Sequence, residues 1–238
     1  MYKFYQIIYF IILYIIYLAL MNNNFSIQNK TLLVCAKRAS GKSELVRYLV
    51  KNELHEFKKV FVFSPTEAVH KFYGDFVNPE TIFYTYEDGL IEKMIEKLSV
   101  VNSNKTKHNA SHVLVILDDL VADLDFHHAN GLKKLFSRGR HIFITTIVIS
   151  QYIYAVPPIV RTNADYIFCG QQNKRSVEIL TDEFLSPNME KDEFVKMYAN
   201  ATKNYGFLVI NQNSISDLDN VNEMYGIVQV PKETLKNK

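Results

Sequence analysis

Ala36-Lys37-Arg38-Ala39-Ser40-Gly41-Lys42-Ser43 is the stretch on which the reading of this chain turns. It follows the apolar run Thr31 to Cys35 and opens Ser43 to Asn52, where Leu45, Val46, Leu49 and Val50 recur at helical spacing. Buried strand, Gly/Ser/Lys turn and amphipathic helix are the surroundings that a Walker A phosphate-binding loop requires; a chance match in a surface loop would lack them. Alanine stands at position 36, where the pattern usually has its first glycine, and needs there only a backbone conformation open to alanine. Gly41 lets the backbone curl so that successive N–H groups face phosphate oxygens at the positive end of the following helix. Lys42 is spaced to reach the β and γ phosphates, and the Ser43 hydroxyl to ligate Mg²⁺. The nucleotide-binding candidates are therefore Ala36, Lys37, Arg38, Ala39, Ser40, Gly41, Lys42, Ser43 and the adjoining Glu44.

Downstream, Val113-Leu114-Val115-Ile116-Leu117-Asp118-Asp119 is an apolar run ending in paired carboxylates, the Walker B form. Alone it fits any strand that ends in solvated acids. Paired with the loop, it assigns Asp118 to the magnesium shell and Asp119 to the general base or water-positioning acid. Aspartate in the second place, where glutamate is commoner, has the shorter reach. Lys133, Lys134, Arg138, Arg140 and His141 then close a helix ahead of the strand Ile142 to Ile149, in a stretch with no acidic residue between Asp125 and Asp165. Such a cluster either complements a helix dipole or sends Arg138 or Arg140 into a neighbouring subunit's site as an arginine finger. Ser150-Gln151 ends that strand; Gln151 is a sensor of the γ-phosphate or a water-orienting group, or simply a strand-end residue.

The remaining pattern repeats the theme. Val60 to Phe63 and the weaker Thr81 to Tyr84 read as strands, Leu90 to Val100 and about His127 to Ser137 as helices, and Tyr166 to Cys169 as another strand. Fully buried strands alternating with helices imply an α/β fold with a mostly parallel sheet sandwiched by helices and ligand at the carboxyl ends of the strands. Residues 25–171 make a core of this kind. Residues 172–238 read as an α/β extension of the same domain, with helices at about Lys174 to Thr181 and Glu190 to Ala199 and strands at Tyr205 to Ile210 and Gly226 to Val230.

Composition sets the outer limits. The 238 residues are 48% hydrophobic, enough for a sizeable core and too many for a disordered chain. A net charge of +2 means that any nucleic-acid binding comes from a local patch or an assembled ring. Cys35 and Cys169 have neither metal-site nor redox spacing and read as small core residues in a reducing compartment. Residues 1–24 stand apart: Phe4 to Leu20 is nearly all Ile, Leu, Tyr and Phe. It is marginally long enough for a membrane anchor, lacks a clear signal-cleavage site, and is equally readable as a mis-assigned start upstream of Met21.

Four ordered motifs together resemble a known family: Ala36 to Ser43; Leu117-Asp118-Asp119; Leu135-Phe136-Ser137-Arg138-Gly139-Arg140-His141 with the strand into Ser150-Gln151; and Arg161-Thr162-Asn163-Ala164-Asp165-Tyr166-Ile167. They resemble the genome-packaging ATPases of large DNA viruses, including those of poxviruses, virophages and polinton-like elements, within the FtsK/HerA superfamily of ring-forming P-loop translocases. The resemblance spans about residues 31–170. It implies a RecA/ASCE-like core that hydrolyses ATP with Mg²⁺ and works as a homo-oligomeric ring with sites between subunits. Double-stranded DNA and a capsid or portal protein are the implied partners, and the implied location is the viral assembly site in the host cytoplasm or the virion. Carried over, Lys42 and Ser43 bind nucleotide and metal, Asp118 and Asp119 form the acid pair, Gln151 is the sensor, and Arg140 is the first choice of finger with Arg138 second. Lys174, Arg175 and the loop 102–111 are candidate DNA-facing positions by charge or exposure.

Other readings share the phosphate loop. A regulatory GTPase would need an aspartate that Asn104-Lys105-Thr106-Lys107 lacks, and no arginine-rich kinase lid follows. A membrane-anchored assembly or export ATPase draws support from Phe4 to Leu20, and a non-hydrolysing nucleotide-binding scaffold from the short Asp119.

Overall fold

A computed structural model of the chain describes residues 26–120, 124–214 and 224–230. β1 (Thr31–Cys35) is buried along its whole length and leads through the loop into α1 (Lys42–Glu53). There follow β2 (Lys59–Phe63), α2 (Glu67–His70), the two-residue β3 (Ile82–Phe83), α3 (Asp88–Val101) and β4 (Val113–Asp118). Next come α4 (Leu124–His128), α5 (Asn130–Arg138), β5 (Ile144–Ser150), α6 (Pro158–Asn163) and β6 (Tyr166–Cys169). The described chain ends with α7 (Lys174–Phe184), α8 (Lys191–Ala201), β7 (Gly206–Asn211) and β8 (Tyr225–Gln229).

The eight strands among the described residues form one sheet in the order β3-β2-β4-β5-β1-β6-β7-β8. The pairs from β3 to β6 are parallel, whereas β7 and β8 join antiparallel. Side chains alternate between faces, so each central strand feeds two cores. Leu33, Cys35, Val115 and Leu117 meet Ile91 and Ile95 of α3, Leu132 and Leu135 of α5, and Leu180 of α7 on one face. Leu32, Val34, Leu114 and Ile116 meet Leu45, Val46, Leu49 and Val50 of α1 on the other. Burial from both sides is why β1 and β4 read as unbroken apolar runs. The α/β class and the mostly parallel, helix-covered sheet expected from the sequence are thus present.

Two expected elements differ in detail. The single helix expected over about 127–137 is divided at Ala129, whose ψ of 130° is extended. The Asp88 carboxylate, at the start of α3, accepts from the N–H groups of Asn130 and Gly131 at 3.1 and 2.8 Å, so α5 begins afresh with a cap supplied by another helix. β5 starts at Ile144 rather than Ile142, because Gly139–Ile142 forms a 3-10 turn and Phe143 turns left-handed at φ 64°. The apolar stretch 4–20 lies outside the described residues; among those described, no helix is long and apolar enough to cross a membrane.

The end of β1 is set between its two neighbours. Ala36 donates its N–H to Ser150 O at 3.2 Å, Lys37 to Gln171 O at 2.7 Å, and Gly170 to Cys35 O at 2.9 Å. Ala36 is fully buried, and a β-carbon at Gly170 would come within 2.7 Å of its methyl group and 2.8 Å of the Phe207 ring. The methyl that replaces the usual loop glycine is therefore accommodated by a glycine on the neighbouring strand's exit. Gly170→Ala should destabilise the protein by about 1–3 kcal/mol, the usual scale of overpacking. Adding Ala36→Gly should restore part of that loss and leave the Phe207 clash; denaturant unfolding of both variants checks the coupling.

Candidate nucleotide-binding site

At the carboxyl end of β1 the chain makes its turn with Ala39 at φ 60° and Gly41 at φ 85°, both left-handed, before α1 begins. Ala36 does not share that conformation, so alanine fits there without strain. From residue 38 to residue 44 no backbone N–H has an acceptor among the described residues, whereas Lys37 and Leu45 on either side are paired. Seven consecutive unpaired amides at the start of a twelve-residue helix form a nest for an anion. Lys42 folds back over the turn, its Nζ donating to Ala36 O at 2.7 Å and Lys37 O at 3.1 Å. Burial pushes the Lys42 ammonium down, and the facing carboxylates of Asp118 and Asp119 counter that. The Ser40 hydroxyl is buried with no partner among the described residues.

The acid pair lies on one side of this turn. β4, which ends in Asp118, is separated from β1 by a single strand, β5, whose Ser150 pairs with Cys35. Insertion of one strand between the loop strand and the acid strand leaves room for a polar group between them, and Gln151 occupies that place. Its Nε2 lies 3.4 and 3.5 Å from the two Asp119 oxygens, a loose approach rather than a tight bond. Asp119 is left-handed at φ 56° and donates its N–H to Ile149 O, which lifts its carboxylate off the strand's line. Asp118 accepts from the Tyr73 hydroxyl at 2.9 Å and from Ser64 at 3.5 Å, both on Oδ2. Burial pushes the Asp118 carboxyl up to about 6; the Tyr73 bond opposes the rise and the Asp119 charge adds to it.

Of the residues singled out in the sequence, Arg38, Ala39, Lys42, Ser43, Glu44, Asp118, Asp119 and Gln151 line one cleft of about 420 Å³. Glu44 is not turned toward a phosphate: its carboxylate meets Arg47 at 3.3 Å, and Arg47 in turn stacks 4.0 Å over the Phe72 ring. Arg138 and Arg140 do not enter the cleft of their own chain. They precede the amino end of β5, and a seven-residue strand rising about 3.3 Å per residue puts them roughly 20 Å from its carboxyl end. Arg140 is engaged there, 3.2 Å from the buried carboxylate of Asp165. Asp165 also accepts from the Thr31 N–H and hydroxyl at 2.8 and 2.9 Å, so the pair ties the amino ends of β1, β5 and β6. Arg138 is exposed and makes no ion pair or hydrogen bond among the described residues.

The two candidate DNA-facing regions also lie at opposite ends of the sheet. Lys174 and Arg175 open α7 just beyond the carboxyl end of β6, with Arg175 4.6 Å over the Tyr154 ring. The loop 102–111 leads into the amino end of β4, held by Asn102, whose amide donates to Ser111 O and Ile142 O.

What the sequence did not reveal is the wall made by residues 64–76. Glu67, buried, accepts from the N–H groups of Phe72, Tyr73 and Gly74 at 2.8 to 3.0 Å and so fixes the Tyr73 hydroxyl against Asp118. Burial, with the Asp118 charge beside it, pushes the Tyr73 phenol well above its ordinary value, which keeps it a donor. The one signal was Ser64-Pro65 ending β2 at the site's edge.

A phosphate nest at the end of β1, with an acid pair two strands away and a polar residue between, defines the class: this is a P-loop NTPase fold. The chain belongs to the family described as Poxvirus A32 protein, whose model matches residues 18–229. Protein 015R of Frog virus 3 (isolate Goorha) is 24% identical over 186 residues, covering 78% of this chain and 58% of that protein. Protein 075L of Invertebrate iridescent virus 6 is 28% identical over 145 residues, covering 61% and 55%. The chain thus spans little more than half the length of these two relatives. Among solved structures, the genome packaging NTPase B204 from Sulfolobus turreted icosahedral virus 2, in complex with AMPPCP, superposes with a TM-score of 0.59 at 16% identity, covering 85% of this chain and 98% of that one. The pCW3 conjugation coupling protein TcpA, solved as a monomer with ATPgS, superposes at 0.53 with 14% identity, covering 88% and 65%. At these identities the likeness is one of fold.

The raised Asp118 carboxyl has a consequence for stability. Between its unfolded value of 3.8 and about 6 the folded chain binds the extra proton, so stability falls as pH rises through that window. The loss is on the order of 2–3 kcal/mol and is complete above about pH 6. In metal-free, nucleotide-free buffer, Asp118→Asn should therefore melt above wild type at pH 7.5, and the gap should shrink at pH 4.5.

Proposed function

We propose that this chain is one subunit of an ATP-driven motor that moves double-stranded viral DNA into a capsid. It works as a homo-oligomeric ring at the site of virion assembly in the host cytoplasm, docked on a capsid or portal protein. The observation that carries the hydrolytic part is Asp119 facing Gln151 across the mouth of the cleft, on the acid side of the phosphate nest. Membership of the A32 family supports the packaging part.

The unpaired amides of residues 38–44 and Lys42 hold the β and γ phosphates. Ser43 and Asp118 suit Mg²⁺: both are hard oxygen donors on one cleft, and Asp118 Oδ1 has no partner among the described residues. Bound there, Mg²⁺ supplies neutralisation of charge on the phosphate oxygens. Asp119 accepts a proton from water as the water oxygen attacks the γ-phosphorus, and the bond to the bridging oxygen breaks, leaving ADP and inorganic phosphate. Gln151, only loosely engaged with Asp119, is free to turn its amide toward that water.

The geometry reorders the two arginines. Arg140 is occupied with Asp165, whereas Arg138 is exposed and unpaired among the described residues, so Arg138 is the better candidate to reach a neighbouring subunit's nucleotide. Lys174 and Arg175, at the same edge of the sheet as the cleft, are the better candidates for DNA contact that answers to nucleotide.

Turnover of the assembled protein should rise with duplex DNA. Lys42→Ala should lose nucleotide binding, and Asp119→Asn should keep it while turnover falls by roughly 10²-fold or more. Arg138→Ala should lower turnover by roughly 10³-fold without changing the melting temperature, whereas Arg140→Ala should lower the melting temperature. A ring that hydrolyses ATP without responding to DNA would fit an assembly or export ATPase instead. Wild type that binds ATP and hydrolyses it no faster than Lys42→Ala or Asp119→Asn would be a nucleotide-binding scaffold.

A further inference from the structure

On the side of the phosphate nest away from the acids, the chain holds an aromatic ring on a strained backbone. Tyr205 has φ 61° and follows Asn204 at φ 52°, two successive left-handed residues just before β7. Asparagine tolerates that conformation; tyrosine does so rarely, and glycine would adopt it freely. The turn cannot relax by shifting one residue, because Gly206 donates to Lys203 O at 2.9 Å and a β-carbon there would run into Ala201 O. Despite its size the Tyr205 side chain stays half exposed, at 49%. Strain retained at an aromatic that leaves half its surface open marks a position kept for contact with something else.

Its location says what that is. A β-carbon at Gly41 would lie 3.4 Å from the Tyr205 ring and 3.6 Å from Val230, so both side chains stand against the nest itself. Val230 follows β8 and donates its N–H to Tyr205 O, holding the two together. The strand order β4-β5-β1-β6-β7-β8 sets Asp118 and Asp119 on one side of the loop and Tyr205 with Val230 on the other. A triphosphate lying across the nest with its terminal group toward the acids carries its base away from them, on the side where Tyr205 stands. We propose that the Tyr205 ring, seated on the buried Val230, is the stacking platform for the nucleobase of the bound nucleoside triphosphate. The inference rests on the nucleotide-binding reading above and adds the base subsite to it.

Calorimetric titration with Mg²⁺ and either a non-hydrolysable ATP analogue or inorganic tripolyphosphate separates the base from the phosphates. Tyr205→Gly suits the test because the left-handed backbone favours glycine, so the variant loses the ring without losing the turn. It should bind the ATP analogue roughly tenfold more weakly, the scale of one base–aromatic stack, and tripolyphosphate as wild type does. Tyr205→Phe, which keeps the ring, should stay within about threefold of wild type for both. Equal weakening of both ligands would mean that Tyr205 only props Gly41, and unchanged binding of both would mean that the base lies elsewhere; either overturns the inference while leaving the NTPase intact. Wild type that binds neither ligand would overturn the nucleotide-binding reading itself.

Discussion

The constraint on which the rest depends is that β1 must be gripped from both sides while the chain just beyond it is left unpaired. Parallel pairing to β5 and β6 locks the strand's register, and the bonds from Ala36, Lys37 and Gly170 extend that grip past the strand's end. One residue later the pattern stops, and seven consecutive amides are without acceptors among the described residues. Unpaired amides are costly when buried, so they persist because they lie at an open edge where an anion can take them. The same grip fixes the far end of the strand. Asp165 receives Thr31 and Arg140 together, so the amino ends of β1, β5 and β6 are tied to one another.

Holding the loop this way decides where chemistry can occur. β4 and β5 run parallel to β1, so their carboxyl ends arrive at one edge, and Asp118, Asp119 and Gln151 are the residues at which those strands run out. Left-handed backbone appears at Ala39, Gly41, Asp119 and Tyr205, around the nest and at both of its flanks. At these positions a turn is what a site built from strand ends requires, since an extended backbone would carry these groups past the ligand.

Much of this was legible in the sequence because it is contiguous. The loop is eight adjacent residues, the acid pair directly follows an apolar run, and a strand buried on both faces carries no polar interruption, so Val113 to Leu117 could be read without knowing its neighbours. What escaped reading depends on contacts distant in sequence. Tyr73 meets Asp118 across 45 positions, Gly170 makes room for Ala36, and Asp88 divides a helix that periodicity alone would continue through Ala129. Arg140 shows the limit from the other side. The basic cluster was visible, but its obligation to Asp165 was not, because an arginine's charge says nothing of where its strand begins.

The two arginines therefore answer different physical demands. Asp165 is buried, and a buried carboxylate needs a cation or several donors; Thr31 supplies two hydrogen bonds and Arg140 the charge. Moving Arg140 into another subunit would leave that carboxylate uncompensated at the base of the strand that carries the phosphate nest. Arg138 has no such tie among the described residues, and its exposure in the last turn of α5 costs the fold nothing. The finger of the proposed function must be free in the absence of its target and pre-positioned by a rigid element. Of the two, only the side chain at the end of the helix meets both conditions.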